Sequence, residues 1–445
     1  MKNLFQFSLL ITLTLFLMRC SEENSERPTE TITGEVTHVI TYGGSNNDSG
    51  QSIVATTDGG YAVLGFTQSN NGDITDKLDE TFDYWVLKFD SEDQIEWQKT
   101  YGGESDDRGS SIIQTQDGGY AILGSSTSNS GDITQNAGLQ DYWLAKLNGN
   151  GNILWQKSFG FQGNDSGISV IQTNDQGYLI SGILDVTASG GQGNSSRSYN
   201  RHAGGDYWVL KLDVLGNLEW SRYFGGNFTD TPEGIVQTSD NGFIIAGRSD
   251  SSDTDISSNI GSYDFWVIKI SPIGDLIWET SFGGSQIDEA RAITSTNDGN
   301  FIIAGDTRSN DNDVALNKGG ADLWLIKISS DGDLIWEKTI GGSSFDVARA
   351  IIKSKSNGFI LSGSSRSNDI DVAENKGQND AWVLKVDTSG NVTWETTIGG
   401  SNIDFAYGVA ELNNGKIIAI GDSTSPDGDI SENQGFTDLL LIKIE

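Results

Sequence analysis

Short stretches of alternating or continuous apolar residues recur along this chain in a fixed order. In the first complete repeat they are SIVATTD, YAVLGFTQ, YWVLKFD and IEWQKTY, each rich in Val, Ile, Thr and aromatic residues and each bounded by turn residues. That pattern predicts four short β-strands per repeat. A DGG hairpin (Asp58, Gly59, Gly60) joins the first two strands, and a turn such as DTSGN (Asp387 to Asn391) joins the last two. A long polar loop separates the middle strands, and a YGGSNND-like loop leads into the next repeat.

The repeat length is about 60 residues, a period at which each unit buries its apolar face against its neighbours in a solenoid, propeller or array. Seven inter-repeat loops open at Tyr42, Tyr101, Phe159, Phe224, Phe282, Ile340 and Ile398. The expected fold class is all-β, a closed seven-bladed β-propeller of four-stranded blades spanning residues 34–445. The last repeat stops at LLLIKIE with only three strands, while GEVTHVITYGG near the start aligns with GNVTWETTIGG, His38 standing at a Trp position. The N-terminal strand is therefore expected to complete the last blade, which leaves no open sheet edge in the ring.

All 12 tryptophans fall into two columns of the repeat. Trp85, Trp143, Trp208, Trp266, Trp324 and Trp382 follow an Asp by two residues; Trp97, Trp155, Trp220, Trp278, Trp336 and Trp394 precede the YGG-like triplet. The second column, after a turn of the form DxxGN, resembles the tryptophan-docking motif of the quinoprotein (PQQ-type) propellers across residues 34–445. The resemblance implies packing of blade on blade, and it matches no cofactor-binding residue here. Burying one Trp removes about 200 Å² from water, worth on the order of 5 kcal/mol as an upper bound.

Composition narrows the picture. Gly reaches 56 and Pro only 4, which suits many strands joined by glycine turns. The net charge of -34 repels nucleic acid and anionic membrane surfaces, so no nucleic-acid role is expected. The lone cysteine, Cys20, follows a basic start and an apolar run from Leu4 to Met18 that is short for a membrane span and has the form of a secretory signal. With Leu17 three residues ahead, the segment resembles a bacterial lipoprotein signal, and SEENSE after it resembles the surface-export signals of Bacteroidetes lipoproteins. The resemblance implies a signal peptide at 1–19, lipidation of Cys20 and a polar tether at 20–33. It places the chain in the outer membrane at the cell surface, with the periplasmic face as the alternative, touching membrane through the lipid only.

Candidate chemistry lies on the face shared by the inter-repeat and long loops. One Asp precedes each inner strand (Asp48, Asp107, Asp165, Asp230, Asp288, Asp346, Asp404), and a second precedes the first Trp column (Asp83, Asp141, Asp206, Asp264, Asp322, Asp380, Asp438). A third opens the long loop at Asp73, Asp132, Asp255, Asp313, Asp371 and Asp429. Two readings stand. Asp and Asn set turns by bonding nearby backbone N–H groups. Alternatively they ligate Ca²⁺, with Asp255, Asn259, Asp264, Asp313, Asn317, Asp322, Asp371, Asn375, Asp380, Asp429, Asn433 and Asp438 as candidate ligands. The third repeat departs with the loop ASGGQGNSSRSYNRHAGG, whose Arg197, Tyr199, Arg201 and His202 are either a ligand-facing patch or a passive insertion. On the second of these, shortening Ser189–Ala203 is expected to spare the fold.

With His only 2 in number, Ser–His–Asp, Cys–His and His-metal catalysis are poorly supplied. Acids that repeat with the fold read as structural, whereas a catalytic pair should break the symmetry. The expected function is a non-catalytic envelope lipoprotein that binds or scaffolds a protein or glycan through its loop face. A glycan-binding propeller and a carbohydrate-active or redox enzyme on the same scaffold are the alternatives.

Overall fold

The computed structural model describes residues 33–194 and 202–445; Cys20, Arg197, Tyr199 and Arg201 lie outside the described residues. Seven four-stranded antiparallel sheets follow one another as blades. The first is formed by Asp48–Ala55, Tyr61–Thr67, Asp83–Phe89 and Ile95–Tyr101, paired in sequence order. The inner strands form a closed ring of neighbours, with Asp48–Ala55 packed against both Asp107–Gln114 and Asp404–Glu411. Val36–Tyr42 pairs antiparallel with Asp438–Ile444 and completes the last blade, as the split repeat implies. The molecule is a seven-bladed β-propeller. Among the described residues, no helix is long and apolar enough to cross a membrane.

The two tryptophan columns do different work. Trp85, Trp143, Trp266, Trp324 and Trp382 are fully buried within the blade stack. The outer column reaches across: Trp97 lies against the turn glycine Gly151 of the next blade, and Trp155, Trp220, Trp278 and Trp336 meet Gly216, Gly274, Gly332 and Gly390 in the same way. The Trp97 indole N–H donates to the Gly149 carbonyl at 3.1 Å, which ties the two blades by a directional bond as well as by area. These turn glycines hold positive φ, and a side chain there would collide with the indole (2.8 Å at Gly151). At the closing junction both partners change. His38 stands in the Trp column, and Asp93, with φ 63, stands in the glycine column.

One boundary differs from the pattern-based expectation. The inner strand starts at the Asp, at Asp48 rather than Ser52, because a β-bulge between Gly50 and Ser52 interrupts the alternation. The same bulge recurs in every blade. A bulge ejects one residue from the ladder and re-aims its side chain. The ejected residues are Gln51, Ser110, Ile168, Glu233, Arg291, Arg349 and Tyr407.

Candidate functional site

Two constellations occupy the loop-face end of the ring. The outer one is the repeated acid lattice, clearest around Gly283 and Gly284. The Gly284 N–H donates to Asp288 Oδ2 at 2.7 Å, Ser309 Oγ donates to the same oxygen at 2.8 Å, and Thr307 Oγ1 donates to Oδ1. Asp313 accepts from the Gly283 N–H at 3.2 Å. Asp264 Oδ2 accepts from the Ile260 N–H at 2.6 Å, while Asn259 donates to the Ser249 carbonyl and accepts from the Gly261 N–H, each at 3.0 Å.

The pattern repeats in the other blades. Asp255, Asp371 and Asp429 take the N–H of Gly225, Gly341 and Gly399; Asp322, Asp380 and Asp438 take the N–H four residues upstream. Asn317, Asn375 and Asn433 bridge the Thr307, Ser365 and Ser423 carbonyls to the glycines two residues on. Their side chains are thus engaged in setting turns. Among the described residues, no group of three or more His, Cys, Asp or Glu is arranged to hold a metal ion.

The lattice carries a cost. In Asp83, Asp141, Asp206, Asp264, Asp322, Asp380 and Asp438 the buried Oδ1 has no hydrogen-bond partner. Burial pushes the pKa of Asp83 up to about 7 and those of Asp264, Asp322, Asp380 and Asp438 up to about 6. Some junctions carry a built-in cation: Lys77 lies 2.9 Å from Asp83, Lys318 2.5 Å from Asp371, and Lys376 2.8 Å from Asp429. His202 belongs to this set. It is buried, with Nδ1 2.5 Å from Asp206 and Nε2 3.8 Å from Asp255, and its ring packs on Tyr223. Burial opposes its charge, but the hydrogen bond and charge of Asp206, with Asp255 behind it, hold its pKa above the ordinary value. His202 therefore faces inward.

The start of that loop is also built in. Asp185 caps the single turn Val186–Ser189, and the Trp208 indole donates to the Gly193 carbonyl at 3.0 Å. In the five other blades that carry this Trp a Gln or Glu beside the outer Trp accepts this bond; here that position is Ser221, which is too short. Excising all of Ser189–Ala203 would remove the partners of both Trp208 and Asp206, so that shortening is not expected to spare the fold.

The inner constellation gathers the bulge column with the positions beside it on the first two strands of each blade, and it breaks the sevenfold pattern. Arg248 bonds Glu233 at 2.6 Å and Glu289 at 3.1 Å; Arg291 bonds Glu289 at 2.7 Å and lies 3.6 Å from both Glu233 and Asp306. Arg349, on the sixth blade, feels the charge of Glu233 on the fourth. Burial holds Glu233 above the usual carboxylate range and pushes Asp306 and Asp422 up to about 6. Asp422 accepts from Ser49 Oγ of the neighbouring blade at 3.1 Å. Around the rim, the guanidiniums of Arg308 and Arg366 stand 5.9 Å and 5.7 Å from the ring centre of Phe345, which is 41% exposed. Strand periodicity alone misses this cluster. The signal was a set of irregular columns, among them the one in which aligned repeats read Gln, Ser, Ile, Glu, Arg, Arg and Tyr.

No protein-family model matches the chain, and no curated protein matches it. Among solved structures it is similar to Sqt1 from Chaetomium thermophilum, with 10% identity, coverage of 93% of this chain and 100% of that one, and a TM-score of 0.45. It is also similar to the Pan2 WD40 domain of Neurospora crassa (10% identity, 92% and 97% covered, TM-score 0.47) and to a glucose dehydrogenase (8%, 92% and 99%, 0.38). At these values the architecture rests on the strand pairing described above.

Proposed function

We propose that this chain is a non-catalytic lipoprotein of the cell envelope, anchored through Cys20, that binds a partner at the axial mouth of its loop face. One observation carries the reading: on a face otherwise built by repetition, the bulge column and the positions beside it gather unlike, charged and aromatic side chains. Binding residues held on a rigid scaffold fit that arrangement. The mouth acids support binding over hydrolysis, because among the described residues Glu233, Glu289 and Asp306 lie against arginine and Asp422 accepts from a hydroxyl. The tryptophan docking supports the PQQ-type reading of the repeat as a packing device.

The test uses the lone cysteine. Acylation consumes the Cys20 thiol, so Ser343→Cys on the loop face or Thr57→Cys on the opposite face supplies the only free thiol. Intact cells are treated with a bulky maleimide polymer and partner capture is measured. Loss of capture with the Ser343 label and retention with the Thr57 label is expected. The reverse pattern, or Cys20→Ala protein that stays membrane-bound without acyl chains on the wild type, would overturn the proposal.

A further inference from the structure

Arg349 differs from the arginines around it. Arg248 and Arg291 each hold two or more acids, whereas Arg349 has no acid within 4 Å among the described residues. Its Nε is buried and without a hydrogen-bond partner. Of the acids that feel its charge, Asp306 and Glu233 are held by Arg291 and Asp422 accepts from Ser49. Arg308 shares the condition, with a buried Nε lacking a partner and its charge directed at the same Asp306. A half-buried guanidinium left without an acceptor is costly, and native proteins rarely keep one without a reason. In a chain of net charge -34, placing the unmatched cations at the axis also isolates them from the general field.

We infer that the axial mouth holds a carboxylate-binding subsite centred on Arg349, with Arg308 beside it, and that its ligand is an acidic sugar. The inference rests on the loop-face reading above. A planar guanidinium offers parallel N–H donors that match a carboxylate two to one, which a lysine cannot copy. The surroundings select the rest of the ligand. Phe405 and Tyr407 lie with ring centres 5.7 Å apart at the bulge beside Arg349, and Phe345 is exposed at the rim. Rings supply a surface for the C–H face of a pyranose, and Gln51 and Ser110, at the same register, supply amide and hydroxyl groups for its hydroxyls. An arginine cluster also holds acidic peptide motifs; the paired rings beside Arg349 favour the pyranose, and the peptide is the competing outcome of the test.

The experiment titrates the full-length protein in detergent with three probes: a hexuronate oligosaccharide, a neutral hexose oligosaccharide of equal length, and a tri-glutamate peptide. Heat of binding is followed for wild type, Arg349→Gln and Arg349→Lys. The uronate is expected to bind and the neutral sugar not to, with affinity falling at least tenfold in Arg349→Gln and only partly restored in Arg349→Lys. Melting temperatures of both variants should match or exceed wild type, because Arg349 holds no ion pair; a folded Arg349→Lys keeps the test meaningful if Arg349→Gln unfolds. Peptide binding as tight as uronate binding would overturn the sugar assignment. Uronate affinity unchanged in Arg349→Gln, or no uronate binding by wild type, would overturn the subsite. Partner capture by Arg349→Gln cells that is still blocked by the Ser343 label would then show that the loop-face reading survives without it.

Discussion

Gly283 shows how much of the loop face is decided at single positions. A Cβ placed there would lie 2.4 Å from Asp264 Oδ1 and 2.7 Å from Asp288 Oδ2, so two carboxylates converge on a site that only glycine fits. Gly283→Ala should lower stability by about 1–3 kcal/mol through overpacking, measured by urea unfolding, and an unchanged midpoint would refute the convergence. His202 makes the complementary case. Its removal leaves Asp206, fully buried, without its cation. His202→Ala should therefore cost roughly 3 kcal/mol near neutral pH; a purely outward-facing histidine would cost nothing measurable. The inward role was legible. His202 stands four residues before Asp206, as Lys318 and Lys376 stand before Asp322 and Asp380. Reading it with Arg197, Tyr199 and Arg201 followed the chain's local composition and passed over that register.

At the scale of elements, the strands with unbroken periodicity were legible to within a residue or two: YAVLGFTQ is realised as Tyr61–Thr67 and IEWQKTY as Ile95–Tyr101. The inner strands were not. A bulge shifts the side-chain phase, so Asp48 to Gln51 reads as loop when alternation is the only guide. Glu233, Arg291 and Arg349 of the inner cluster sit at those bulges, which is why they escaped attention while the acid lattice did not. Ring closure is the element-level claim with the plainest consequence. Deleting Glu35–Tyr42 removes the partner of Asp438–Ile444 and should produce a lower melting temperature together with oligomers formed through the bared edge. A monomeric truncation melting with wild type would contradict the pairing.

For the whole molecule, the unpartnered Asp oxygens predict an inverted pH profile. Their pKa values are raised in the fold, to about 7 for Asp83 and about 6 for Asp264, Asp322, Asp380 and Asp438, above the ordinary carboxylate value. The folded state therefore binds more protons than the unfolded state between about pH 4 and 7, and stability is lost as pH rises through that window. The melting temperature should be higher at pH 5 than at pH 8. The difference should persist in 1 M salt, which screens general self-repulsion but not buried groups; a stability maximum at pH 8 would contradict it.

The central claim is that this propeller meets its partner at the axial mouth. A photoreactive phenylalanine analogue placed at Phe345, at the rim of that mouth, or at Asp58, in a hairpin of the opposite face, tests it on intact cells by irradiation and mass spectrometry of the adducts. The account predicts a discrete adduct from position 345 and none from position 58. Adducts from position 58 alone would contradict it.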